Sequence, residues 1–311
     1  MISHMNNTTS ADVGMRLETQ RETEGTGALG RVLTLIIMAK TEGGVRDALQ
    51  AAGGASRAHP SRIIVVLPGE SEKDSLDAEI RTGTESGASE VIILRANGRS
   101  ADNVKTLVMP LLLPDTPVVT WWIQEIPENC AATDAGSIAQ RRITTARTSH
   151  EPVRSLAKLR HSYTPGDTDL SWAGCSLWRN YLASMLDEFP GIKLVSARVN
   201  GTDFSGSVYL LAAWLRLLLD IPVEIIKGEG SVINSVYFET DKGETLGLER
   251  SPGTDFATMI RPGRKDQMVA LNRRDLADML IEDLRDLTPD YAYEQVLTKG
   301  LELLDYPAFQ N

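Results

Sequence analysis

The chain has 311 residues, 42% of them hydrophobic and 24% charged, a balance that fits folded domains and excludes global disorder. With 42 acidic against 32 basic residues the net charge is -10, the wrong sign for a protein that grips nucleic-acid phosphates non-specifically. No apolar run reaches the roughly 18–20 residues of a membrane span, and the two cysteines, Cys130 and Cys175, and four scattered histidines exclude a disulfide scaffold and a recognisable structural zinc site, so a cytoplasmic setting is expected.

Residues 1–28 are polar and aperiodic and read as a flexible N-terminal tail. A first α/β domain is expected over 29–140. Residues 31–39 are almost wholly apolar, as in a strand buried on both faces. Val45, Ala48, Leu49 and Ala52 then recur at helical spacing until His59-Pro60 stops the helix. Residues 62–67 form the next buried strand, so this stretch predicts a βαβ unit with a right-handed crossover. Further on, 76–81 alternate as an edge strand, 90–95 read as a central strand, 101–109 as a helix ended by Pro110 and 117–123 as another strand.

Residues 141–165 read as a basic connecting segment. Arg141, Arg142, Arg147, Arg154, Lys158 and Arg160 stand there against one acid, Glu151. Either this is a solvated linker, or it docks an acidic partner or phosphate groups. A second α/β domain is expected over 166–308. Asp167, Thr168 and Asp169 are cap candidates for a helix over 169–189. Strands are expected at 192–199, 223–227, 231–240 and 244–250, with an apolar helix at 204–219. A helix over 272–287 opens at Asn272, and a last helix has Thr288 as its cap. The fold class is therefore α/β, in two lobes. The first is a mostly parallel, Rossmann-like layered sheet and the second a smaller mixed sheet with helices.

No catalytic constellation or metal set emerges, and no cofactor is expected. A phosphate-binding P-loop, a nucleophile elbow and the G-x-G-x-x-G dinucleotide fingerprint are all missing. The turn Ala39-Lys-Thr-Glu-Gly-Gly44 has two glycines where a strand meets a helix, which either admits a phosphate or is turn chemistry alone. Arg57, His59 and Arg62 form a second candidate. They converge on an anion, or they solvate a helix C-terminus. Asp167 and Asp169 serve as acid and base, as metal ligands, or as caps, and capping is the default at a helix start. The densest aromatic cluster runs from Tyr163 through Trp172 to Trp178-Arg179, the composition of an interaction hot spot or of interior packing.

Several blocks together resemble one family. They are Arg31-Val-Leu-Thr-Leu, Ser56-Arg-Ala-His-Pro-Ser-Arg-Ile-Ile-Val-Val, Leu76-Asp-Ala-Glu-Ile-Arg, Leu111-Leu-Leu-Pro-Asp-Thr-Pro-Val-Val-Thr-Trp-Trp, Ala139-Gln-Arg-Arg-Ile-Thr, Tyr163-Thr-Pro-Gly-Asp-Thr-Asp-Leu-Ser-Trp and Arg261-Pro-Gly. In this order they look like the OpcA family, the glucose-6-phosphate dehydrogenase assembly proteins, over nearly the whole chain. Ser61 stands where the family often has cysteine, and Ala173-Gly-Cys-Ser176 replaces an arginine-containing stretch. The resemblance implies a non-catalytic assembly factor and allosteric activator that binds glucose-6-phosphate dehydrogenase, with neither nucleic acid nor membrane as partner. Tyr163, Asp167, Asp169, Trp172, Trp178 and Arg179, with Arg141 and Arg142, are the residues expected to form or brace the docking surface. The competing expectation is a sensor or enzyme acting on a small phosphorylated metabolite through Arg57, His59 and Arg62.

Overall fold

A computed structural model describes residues 2–24, 30–82, 90–149, 151–202, 205–228 and 232–310. The chain divides into two compact units that exchange segments. Unit 1 holds Met1–Thr145, Gly166–Thr168 and Asp275–Pro289; unit 2 holds Ala146–Pro165, Asp169–Arg274 and Asp290–Asn311. By contacts the two units interleave along the chain, whereas the sequence reading gives two successive domains. Parts of the predicted 1–28 and 204–219 segments and the first residue of 231–240 lie outside the described residues.

Unit 1 is built on an eight-stranded sheet. In chain order its elements begin with β1 (Ile2–Met5), α1 (Ser10–Glu24), β2 (Leu33–Met38), α2 (Glu42–Ala55), β3 (Ser61–Pro68), β4 (Ser75–Arg81) and β5 (Glu90–Asn97). There follow α3 (Arg99–Asp102), α4 (Val104–Val108), β6 (Val118–Trp122), α5 (Asp134–Ser137) and β7 (Arg141–Thr144). Beyond β7 come α6 (Pro152–Ser162), which belongs to unit 2, and β8 (Asp167–Asp169). The strand order is β1-β4-β5-β3-β2-β6-β7-β8. Strands β5, β3, β2, β6 and β7 are parallel, and the inner ones, β2, β3, β5 and β6, are mostly apolar because they are covered on both faces. Leu35, Ile36, Ile37, Ile63, Ile64 and Trp121 are fully buried.

The N-terminal segment is not a free tail. Residues Ile2–Met5 pair antiparallel with β4, so β4 is an interior strand and not the predicted edge. Helix α1 buries Val13, Leu17 and Gln20, one helical face, with Gly14 close to the Pro110 carbonyl and Leu111. The predicted helix 101–109 is broken into α3 and α4, which Asn103 caps by accepting from Thr106 N. The predicted connecting segment contains a buried strand, β7, and an amphipathic helix, α6, that buries Leu156 and Leu159.

Unit 2 contains α7 (Leu170–Gly174), α8 (Ser176–Asp187), β9 (Leu194–Gly201), α9 (Gly206–Leu219) and β10 (Val223–Lys227). Its sheet continues with β11 (Ile233–Thr240), β12 (Thr245–Arg250), β13 (Phe256–Ile260) and β14 (Gln267–Ala270), in the order β10-β9-β11-β12-β13-β14. Only the β10–β9 pair is parallel. On one face Ala197, Val199, Val236, Phe238 and Leu248 are buried; Arg198, Tyr237 and Glu249 alternate onto the other. Gly247 lies opposite Tyr237, whose ring fills the space a side chain on Gly247 would need.

The predicted helix over 272–287 is shorter: α10 spans Leu276–Asp283, with Asp275 and not Asn272 accepting from Asp278 N. It belongs to unit 1, where it packs on α2. The next helix, α11 (Tyr291–Gln295), is capped by Asp290, which accepts from Tyr293 N, so Thr288 is not its cap.

Candidate interaction site

The two arginines at the head of the basic stretch point into unit 1. Arg141 and Arg142 are 3% and 6% exposed. Arg141 forks onto Asp283, with Nη2 donating to Oδ1 at 2.8 Å and Nε to Oδ2 at 3.2 Å, while Nη1 donates to the Thr288 carbonyl at 3.0 Å. Thr168 Oγ1 donates to the same carboxylate at 3.1 Å. Arg142 pairs with Asp167 and donates to the Ala139 carbonyl. A buried arginine needs such a partner, since an unpaired charge costs several kcal/mol. These side chains are therefore spent inside the protein and brace it; they are not presented to a partner.

The aromatic cluster is likewise internal to unit 2. Asp169, fully buried, caps α7 by accepting from Ser171 N, and its second oxygen accepts from Ala146 N, both at 2.8 Å. It is thus a cap and not half of an acid–base pair with Asp167. Trp172 Nε1 donates to Asp290 at 2.7 Å, and its ring leans on Tyr293, which also meets Tyr163 edge-on. The Arg179 guanidinium stacks 3.3 Å above Trp172. Trp178 is 2% exposed and lies under Arg250. Of the eight expected docking residues, Tyr163 and Arg179 are half-buried and the other six are buried.

What the basic stretch does present is a face of α6. Its buried side is Leu156 and Leu159; Arg154, Lys158 and His161 are exposed at i, i+4 and i+7. Arg154 holds Glu151 in an exposed pair at 3.2 Å, while Arg160 turns inward to the Phe309 carbonyl.

The second predicted anion site does not assemble. Arg62 is buried, donating from Nε and Nη2 to Glu90 at 3.0 and 2.9 Å and from Nη1 to the Leu111 carbonyl at 2.7 Å. His59 Nε2 lies 3.0 Å from the Ile281 carbonyl on α10, and Arg57 alone is exposed. The sequence shows three basic residues near a helix end, but a carboxylate 28 residues away claims one and a carbonyl 222 residues away another.

At the carboxyl ends of the parallel strands, Arg95 on β5 forks onto Glu42, the first residue of α2, at 2.6 and 3.2 Å. The hydrogen bond from Arg95 holds the Glu42 carboxyl below the usual range. Unit 2 also has a cleft of about 440 Å³ against β10, lined by Tyr209, Val223, Ile225, Lys227, Asp305 and Tyr306 among others. Among the described residues no cluster of three or more His, Cys, Asp or Glu is placed to hold a metal ion, and no helix is long and apolar enough to cross a membrane.

Residues 52–161 match the family model described as the glucose-6-phosphate dehydrogenase subunit N-terminal domain, and 165–297 match the C-terminal domain of the same subunit. No curated relative matches the sequence. Among solved structures, the chain is similar to KijD10, a 3-ketoreductase from Actinomadura kijaniata in complex with NADP and TDP-benzene. Identity is 11%, coverage is 88% of this chain and 96% of that one, and the TM-score is 0.47. An oxidoreductase from Sinorhizobium meliloti is similar at 11% identity, with 88% and 95% coverage and a TM-score of 0.44.

Proposed function

This chain belongs to the OpcA family of glucose-6-phosphate dehydrogenase subunits, and we propose that it acts without catalysis of its own, by binding glucose-6-phosphate dehydrogenase and favouring its active assembly. The observation that carries the reading is the pair of family matches, in order along most of the chain. The absence of a catalytic constellation in the sequence is consistent with it. Through that enzyme the chain sets entry to the oxidative pentose phosphate pathway and the supply of NADPH.

An activator of this kind works by binding the active dehydrogenase better than the inactive one, because a ligand shifts an equilibrium only by its differential affinity. A 100-fold shift requires about 2.7 kcal/mol of difference. Contact through the exposed basic face of α6 fits an acidic patch on the dehydrogenase, with Tyr163 and Arg179 at the accessible margin of the aromatic cluster. Arg141, Arg142, Asp167, Asp169, Trp172 and Trp178 brace the fold that presents it.

The test is co-elution of the purified chain with the dehydrogenase of its own cell, followed by dehydrogenase kinetics with and without it. Co-elution with raised activity supports the proposal. Separate elution, together with unchanged kinetics, overturns it; co-elution with unchanged turnover leaves a scaffold and removes the activator.

A further inference from the structure

We infer that the crevice where a sheet of this topology receives a dinucleotide is sealed from within by the side chain of Gln124, so that this chain does not bind a nicotinamide dinucleotide there. The inference does not depend on the dehydrogenase reading. It rests on strand order first. From β2 the order runs outward through β3 and β5 on one side and through β6 and β7 on the other. The reversal point lies between the carboxyl ends of β2 and β6, with the start of α2 beside it, and that is where doubly wound sheets hold the pyrophosphate.

A pyrophosphate seated there needs free backbone N–H groups and close approach to a glycine. Three of the donors at this turn and one of its two glycines are already engaged. Lys40 N and Thr41 N both donate to Gln124 Oε1, at 3.0 and 3.2 Å. Gln124 Nε2 donates to Thr41 Oγ1 at 3.0 Å, and Thr41 Oγ1 in turn accepts from Gly44 N at 3.0 Å. Gly44 has the bare backbone that a phosphate would approach, but a Cβ built on it would overlap the Gln124 amide, so that amide already fills the space. A neutral carboxamide thus stands in the place of the anion and satisfies the same donors.

The charges beside it oppose an incoming anion too. Glu42 opens α2 and Glu125 follows Gln124 in the chain. Arg95 is held by Glu42, and Lys40 Nζ by Glu125 at 2.5 Å. A dinucleotide would have to expel the Gln124 side chain and then sit beside Glu42 and Glu125.

Hydrogen exchange read by mass spectrometry on the full chain tests this. In the wild type, the amides of Lys40 and Thr41 should be protected without ligand. Exchange over 38–46 should be unchanged by millimolar NAD⁺, NADP⁺, NADPH or inorganic pyrophosphate. In Gln124→Ala, exchange at these two amides should quicken about five- to tenfold, the scale of one lost hydrogen bond, with β3 unaffected as the control for folding. Slower exchange over 38–46 in the wild type on adding any dinucleotide overturns the inference, and that arm holds even if the variant fails to fold. So does a folded Gln124→Ala protein whose protection at Lys40 and Thr41 is intact.

Discussion

Arg141 and Asp283 stand 142 residues apart in the chain and meet through two side-by-side hydrogen bonds inside unit 1. Each side chain is 4% exposed, so neither charge has water to fall back on. Asp283→Ala should cost about 3–5 kcal/mol, because it leaves the arginine buried and unpaired. The double substitution Arg141→Met with Asp283→Leu should recover most of that loss. Urea denaturation of the two variants checks it; equal losses would mean that the ion pair itself stabilises the fold.

Neighbouring glycines of α2 should respond in opposite ways. A Cβ on Gly54 would come within 2.8 Å of the Ala277 Cβ on α10, whereas nothing lies within 4 Å of one on Gly53. Gly53→Ala should stabilise by about 0.5–1 kcal/mol through helix propensity. Gly54→Val should destabilise by about 1–3 kcal/mol by pushing α10 away. Urea midpoints of the two variants provide the comparison.

Trp178 and Arg179 are adjacent but differ in burial, so stability and binding can be separated. Trp178→Ala empties a buried site and should cost about 3–5 kcal/mol. Arg179→Ala removes a guanidinium stacked on Trp172 and should cost about 0.5–2 kcal/mol. Thermal melts should show a far larger drop for the tryptophan. Loss of dehydrogenase binding in a well-folded Arg179→Ala protein would place that arginine in the contact.

The α6 face makes the contact hypothesis accessible to charge reversal. Arg154→Glu with Lys158→Glu should leave the fold intact, because both side chains are exposed. Dehydrogenase binding should weaken by about tenfold or more, and wild-type affinity should fall as salt rises. Titration by calorimetry at two salt concentrations reads both effects. Binding that ignores the reversal removes α6 from the interface.

Tyr237 gives a pH signature. Its hydroxyl donates to Glu249 at 2.5 Å, and burial, then the nearby carboxylate, pushes the phenol up to about 12. The fold thus favours the neutral phenol, a contribution present below the ordinary phenol range near 10 and lost as pH rises toward 12. Spectrophotometric titration should find a late-ionising tyrosine that is missing from Tyr237→Phe. The variant's stability should also fall less steeply between these pH values.

The parallel core was legible because burial on both faces writes a long apolar run, as in Leu33–Met38 and Ser61–Pro68. Helix α1 was not, since among the described residues its buried face is Val13, Leu17 and Gln20 in a polar sequence, and its packing site lies near Leu111. Arg141 and Arg142 were misread for a related reason. A run of basic residues looks the same in sequence whether it is solvated or paired, and Asp283 is too distant to reveal the difference. Asp290 carried a local signal, an aspartate at a helix start, but no cue that it also holds Trp172. Gln124 carried no signal at all: an amide beside a strand end becomes legible only when the β2–α2 turn lies against it.

Unit 1 draws its last piece, Asp275–Pro289, from late in the chain. On a ribosome adding roughly 5–20 residues each second, the nascent sheet waits on the order of ten seconds between making Arg141 and receiving Asp283. Until then Arg141 lacks its counter-ion and α2 lacks the helix that packs on it. A rearranged gene that moved Asp275–Pro289 next to Thr145 would shorten that interval.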